Sequence, residues 1–228
     1  MLIKWGSIVV KGSGKLGGHV FSGGPGGASV HTLAKARNPQ TKYQMGIRAR
    51  FNLLTQSWRD LTEVQRESWY GAESEFSRKN RFGDTVLLSG KNLYNALNAQ
   101  RLIIGLPIIN IAPLPVLLPL NRATSAFINN GSRIIKLFGK YASSTNYMVV
   151  ATKGLSNGVK GYVGESKILR VGTSSVAGND IAGRDQTYSA YVDIFGTPAV
   201  GLKIFIGTYA INSSGQRSTM SLVQAEFE

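Results

Sequence analysis

The stretch Leu106-Pro107-Ile108-Ile109-Asn110-Ile111-Ala112-Pro113-Leu114-Pro115-Val116-Leu117-Leu118-Pro119-Leu120 constrains this chain more than any other part of it. Proline has no amide hydrogen, fixes φ near −65° and pushes the residue before it out of the helical region. Pro107, Pro113, Pro115 and Pro119 therefore break the one long apolar run, Leu102 to Leu120, which falls short as a membrane span needing about 18 uninterrupted apolar residues. What remains is extended or polyproline-like backbone. It is too apolar for a solvated linker, so residues 106–124 are expected to form an arm lying against a surface, its own or a neighbouring subunit's. The arm separates two textures, an α+β module at 1–105 and an all-β region at 125–228.

Charge distinguishes the first texture. The first carboxylate is Asp60, so residues 1–59 hold nine Lys/Arg and no Asp or Glu. Of the net charge of +14, residues 1–124 carry +10 and residues 125–228 carry +4. Such a segment has no acid/base or metal chemistry of its own, but it is drawn to acidic surfaces, whether nucleic acid or protein. The absence of cysteine excludes disulfides, thiolate zinc sites, iron–sulfur ligation and a cysteine nucleophile. A hydrophobic fraction of 43% is ordinary for a chain that forms a core. The start, MLIKWGSIVVKGSG, lacks an apolar stretch followed by a small-residue cleavage site, so no secretory signal is expected.

Within 1–105, β-rich pieces at Ile3–Val10, His19–Ser22 and Ala28–Ala34 separated by glycine turns predict a small meander. Two or three such strands rarely stand alone in water and need a helix or a partner. Helices follow. Asn38-Pro39 and the capping-box spacing Thr41-x-x-Gln44 open one that runs to about Arg59, with Ile47, Phe51, Leu54 and Trp58 as one apolar stripe. Thr62-x-x-Gln65 opens a second to about Ser77, with Val64, Trp69, Ala72 and Phe76 expected inside. A third is expected from Ser89 to Ile104, with Leu93, Leu97 and Arg101 on one side. After the arm, strands are expected at Ser125–Asn130, Arg133–Lys140, Asn146–Thr152, Ser166–Gly172, Gly201–Asn212 and Thr219–Phe227, the pattern of a sandwich. Tyr188, Tyr191, Val192 and Phe195, followed by Gly196, predict a helical insert with a glycine stop.

The motifs that elsewhere carry chemistry are weak here. Gly12-Ser13-Gly14-Lys15-Leu16-Gly17 matches G-x-G-x-x-G, but no helix signal follows and no acidic ribose partner lies near 20 residues on. Gly14-Lys15-Leu16 and Gly90-Lys91-Asn92 lack the Ser/Thr of a phosphate-binding loop. His19 and His31 have no Asp, Glu or Cys nearby to complete a metal site. No G-x-S-x-G raises one serine above the rest, and Glu63, Glu67, Glu73 and Glu75 are expected to solvate their helix and pair with Arg66, Arg78 and Lys79. No catalytic residue, cofactor, metal or small-molecule substrate is expected, and the chain is not read as an enzyme.

Binding is the stronger reading. Lys35, Arg37, Lys42, Arg48 and Arg50 form the candidate electrostatic anchor, able to meet phosphates with Tyr43 nearby, or to fit an acidic protein. Trp58 and Trp69 are expected in the core at the corner between the first two helices.

The phrase Ser57-Trp58-Arg59-Asp60-Leu61-Thr62 to Trp69, with Arg37-Asn38-Pro39-Gln40-Thr41, Arg48-Ala49-Arg50-Phe51 and the turns around Lys15-Leu16-Gly17-Gly18, resembles a family of small bacteriophage and prophage virion-associated proteins. That family has a Gly-rich basic start, an Asn-Pro-x-Thr helix opening and a W-R-x-L-T-x-x-x-R-x-x-W stretch. The resemblance covers about residues 6–110, including Gly83-Asp84-Thr85 and Ser89-Gly90-Lys91-Asn92-Leu93-Tyr94. Residues 125–228 resemble fibronectin type III or Ig-like domains more loosely. The resemblance implies a structural component of a virion, assembled in the host bacterial cytoplasm. An auxiliary or decorating capsid protein bound to the major capsid protein is foremost, a head–tail connector or tail component is second, and a packaged DNA-binding protein is third. It carries no catalytic residues.

Overall fold

A computed structural model of the chain describes residues 2–4, 12–24, 27–35, 38–80, 82–118, 122–129, 131, 134–140, 146–156, 158–159, 166–173, 180–181 and 184–227. It is a mixed fold in which every strand pair among the described residues is antiparallel. The chain divides into two compact units, Met1–Asn95 with Asn110–Leu114, and Ala96–Ile109 with Pro115–Glu228.

The first unit begins with β1 (Leu2–Ile3), β2 (Gly14–Leu16), β3 (His19–Gly24) and β4 (Gly27–Thr32), which form a sheet in the order β1-β4-β3-β2. Most of the strand expected at Ile3–Val10 lies outside the described residues, as do Pro25 and Gly26 of the second glycine turn. The G-x-G-x-x-G run becomes the β2–β3 hairpin, with Gly17 at φ +56° in its turn, so a strand follows where a nucleotide site needs a helix. His19 pairs with Thr32 and Val20 with His31, which places the two histidines on opposite faces of the sheet.

Helix α1 (Lys42–Asp60) is capped by Thr41, and α2 (Glu63–Gly71) by Thr62 in a complete capping box with Gln65. A hairpin of β5 (Arg78–Lys79) and β6 (Thr85–Val86) follows. Asn80 Oδ1 accepts from the amides of Phe82 and Asp84 and closes its turn. Lys4 reaches Asp84 at 3.7 Å, an exposed pair worth little by itself. Helix α3 (Gly90–Ile103) comes next and from Ala96 on belongs to the second unit; Leu93, Leu97 and Arg101 are all buried.

The core of the first unit is aromatic. Trp58 and Trp69 are both buried and each meets Tyr94 edge-on with ring centroids 5.2 Å apart, while Leu54, Leu61, Ala72, Val86 and Leu93 are buried with them. Each edge-to-face pair adds about 0.5–1.5 kcal/mol beyond its buried area. Burial pushes the Tyr94 phenol above its ordinary pKa, with Ser57 opposing the shift and Asp60 adding to it.

Two expectations for these helices are corrected. Only the last two turns of α1 bury anything, Leu54 and Trp58, whereas Ile47 and Phe51 on the same stripe are 45% and 57% exposed. Val64, expected inside, is 76% exposed because it lies on the side of α2 away from Trp69. The acids and bases after Asp60 also act differently from the expected pairing. Arg66 bonds the carbonyls of Trp58 and Arg59, satisfying the end of α1, and Glu73 Oε1 accepts from the Gly90 amide at 2.6 Å, capping α3.

The second unit contains β7 (Arg122–Asn129), β8 (Ile134–Lys140), β9 (Asn146–Ala151), β10 (Lys167–Thr173), β11 (Asp180–Ile181), α4 (Arg184–Phe195), β12 (Lys203–Ile211) and β13 (Ser221–Glu226). One sheet runs β10-β9-β12-β13 and the other β11-β8-β7. They share a core of Ile128, Ile135, Leu137, Val149, Ile204, Ile206 and Phe227, with Tyr188 and Tyr191 of α4 packed into it. Gly196, at φ +86°, ends α4. The other face of the larger sheet is covered too, since Met148, Val150 and Ile211 pack with Ile103 and Ile104. Burial on both faces explains why β12, Lys203–Ile211, reads as a nearly continuous apolar run and not as an alternation.

Candidate interaction surface

Of the expected anchor residues, Lys42, Arg48 and Arg50 lie on α1 and Lys35 precedes it in the chain. Its N-cap Thr41 accepts from the Gln44 amide at 3.3 Å, but Gln44 Oε1 is buried with no hydrogen-bond partner, so only half of the expected capping box forms. Asn38, also expected as a cap, instead accepts from Arg48 Nη2 at 2.8 Å. Lys35, Lys42 and Arg48 are exposed and Arg50 is half-buried, whereas Arg37 lies outside the described residues. Among the described residues, Lys35, Lys42, Arg48 and Arg50 form no ion pair. The first turn of α1 has no acid and contains Lys42, so the positive end of the helix dipole is reinforced where proteins usually offset it.

Apolar surface accompanies this charge. At 100° per residue, Ile47 and Phe51 continue the line of Leu54 and Trp58 towards the start of α1, with Arg48 to one side of the line and Arg50 to the other. None of the residues from Lys42 to Leu53 is buried. The β1–β4 sheet is similar, with no buried residue in any of its four strands. Side chains placed this way are buried less deeply than is usual for a small sheet or the early turns of a helix.

The Pro-rich arm meets its backbone needs through side chains instead of a strand partner. In the first unit, Trp69 Nε1 donates to the Asn110 carbonyl at 2.8 Å and the Ala112 amide donates to Ser68 Oγ at 3.2 Å. In the second, Asn98 pairs with both polar groups of Ile109, Arg101 Nε donates to the Pro107 carbonyl at 2.6 Å, and Gln216 Oε1 accepts from the Val116 amide at 2.7 Å. Burial lowers the Arg101 pKa, though the guanidinium remains a donor to the arm. The arm thus lies partly on the chain itself, as expected, yet Ile111, Leu114, Val116 and Leu117 are exposed, Leu117 at 99%.

Sequence reasoning found Trp58 and Trp69 but not Tyr94 between them, and it found the arm but not its anchors Asn98 and Gln216. A signal existed for Asn98, a polar residue at a core-facing position of an amphipathic helix. Nothing in the sequence marked Gln216. Among the described residues no group of His, Cys, Asp and Glu is arranged to hold a metal, and no helix is long and apolar enough to cross a membrane.

No protein-family model matches the chain, and no curated protein matches it. Among solved structures, an Fn3-like protein from Clostridium thermocellum matches over 50% of this chain and 96% of its own, at 12% identity and a TM-score of 0.29. A beta-1,2-glucanase from Parabacteroides distasonis matches over 51% of this chain and 14% of its own, at 17% identity and a TM-score of 0.29. Likenesses of this strength carry no argument about what this chain does.

Proposed function

We propose that this chain is a structural component of a bacteriophage virion, an auxiliary protein decorating the capsid shell, and not an enzyme. The observation that carries the reading is the exposure of the first unit: a four-stranded sheet that buries no residue, and a helix whose first three turns bury none and whose cations form no ion pair among the described residues. Elements built this way gain their packing from neighbouring proteins, as assembly subunits do. The Asn-Pro-x-Thr opening and the tryptophan phrase add the resemblance to virion-associated proteins. In this reading Lys35, Arg37, Lys42, Arg48 and Arg50 meet acidic protein surface, including the major capsid protein. The second unit is read as an Ig-like or fibronectin III-like sandwich with α4 inserted, projecting from the particle.

The test is particle composition. Particles produced from the genome encoding this chain, banded on a density gradient and quantified by mass spectrometry, contain it in hundreds of copies if it decorates the shell. About a dozen copies indicate a connector ring, an expectation from assembly symmetry. Absence from the particle band contradicts the proposal.

A further inference from the structure

Acids and bases of the first unit are segregated between adjoining helices. Residues 1–59 contain no carboxylate, whereas six of the chain's 12 lie between Asp60 and Asp84. In α2, Trp69 faces the aromatic core and Glu63, Val64 and Glu67 lie on the opposite side, all exposed, while Tyr70, though 51% exposed, packs edge-on against Trp58 with ring centroids 6.0 Å apart. The base of that helix is turned away from this face, because the Arg66 guanidinium bonds the carbonyls of Trp58 and Arg59. Among the described residues neither Glu63 nor Glu67 forms an ion pair.

Each copy therefore offers two exposed helix faces of complementary chemistry. One is the α1 ridge of Ile47 and Phe51 between Arg48 and Arg50, with no acid of its own. The other is the outer face of α2, with Val64 beside Glu63 and Glu67 and no free base of its own. We infer that the α1 ridge of one copy seats on the outer face of α2 of a second copy.

Two physical arguments select this occupant. An α1-on-α1 contact sets Arg48 and Arg50 against their own copies, and an α2-on-α2 contact does the same with glutamates, so like faces repel and unlike faces attract. The ridge also lies on the side of α1 that faces the Trp58–Trp69–Tyr94 cluster, whereas the acidic face lies on the side of α2 that faces away from it. Faces with opposite directions give a heterologous, head-to-tail contact that propagates into a ring or a row. The inference rests on the reading of the chain as an assembly protein and names a partner for its basic helix. The apolar residues supply buried area, and the charges set register and encounter rate.

Sedimentation velocity of the full-length chain, over a concentration series at low salt, tests it. Wild type self-associates, and its sedimentation coefficient rises with concentration. The double variant Arg48→Glu with Arg50→Glu, and the double variant Glu63→Lys with Glu67→Lys, each associate at least tenfold more weakly. Mixing the two doubles one to one restores association, because each face then meets its opposite. Combining all four substitutions in one chain restores it as well, which separates a lost contact from a lost fold. A wild type that stays monomeric throughout overturns the inference, and so does a mixture no better associated than its components. A monomeric chain that still bands with particles overturns only the inference and leaves the virion reading standing.

Discussion

Asn98 and Ile109 hold each other through a paired hydrogen bond: Asn98 Oδ1 accepts from the Ile109 amide at 2.8 Å, and Asn98 Nδ2 donates to the Ile109 carbonyl at 3.1 Å. The pairing gives an extended, proline-flanked segment the two bonds that a strand neighbour would otherwise supply. Asn98 is fully buried, so Asn98→Ala leaves both groups of Ile109 without this partner. The expected cost is about 1–3 kcal/mol, read as a lower urea midpoint with an unchanged slope.

Two glycines in the first unit are predicted to respond in opposite directions to alanine. A Cβ at Gly90 falls 2.7 Å from a Tyr70 ring carbon and 2.9 Å from the Trp69 backbone, at a helix start already fixed by Glu73, whereas a Cβ at Gly46 meets nothing within 4 Å. Gly46 sits inside α1 with helical backbone, so Gly46→Ala stabilises by about 0.5–1 kcal/mol, provided α1 unfolds with the unit. Gly90→Ala destabilises by about 1–3 kcal/mol through overpacking. Thermal melts of the two variants beside wild type read both signs.

Along α1, stability effects are predicted to divide at residue 54. Leu54→Ala removes a buried side chain and costs about 2–5 kcal/mol, while Phe51→Ser, on the same stripe but exposed, changes stability by less than about 1 kcal/mol. Chemical denaturation separates the two outcomes. A large loss from Phe51→Ser in monomeric protein contradicts the exposed ridge.

Alkaline pH is predicted to weaken the second unit through Tyr191. Burial pushes its phenol from 10.0 up to about 12, while the Gly154 backbone pulls the other way and Tyr188 adds to the rise. A raised tyrosine pKa means that the folded state keeps a proton the unfolded state has already lost. Tyr191 thus contributes its full stabilisation below pH 10, and this fades between about pH 10 and pH 12. Tyrosinate absorbance is expected to show a late-ionising component that Tyr191→Phe removes.

How much of this was legible in the sequence depended on periodicity. The strands of the second half and the α4 stripe of Tyr188, Tyr191, Val192 and Phe195 were marked by short apolar runs between glycine, asparagine and serine, and they fold where those signals lie. Thr41 and Thr62 marked two helix starts for the same local reason. Burial was less readable. Ile47, Phe51 and Val64 have core-like periodicity, yet a stripe shows only which residues share a face, not whether anything covers it. The Asn98, Arg101, Trp69 and Gln216 contacts to the arm were hidden because a hydrogen bond from one side chain to a distant backbone leaves no spacing in the sequence. The basic residues were identifiable as a group, while the exposure of the Ile47–Phe51 ridge between Arg48 and Arg50 required the fold.

Cryo-electron microscopy of purified particles tests the central claim most directly. The account predicts density for this fold on the particle, with the β1–β4 sheet and the first turns of α1 covered by neighbouring protein. Particles without such density, or with the first unit uncovered by any neighbour, would contradict it.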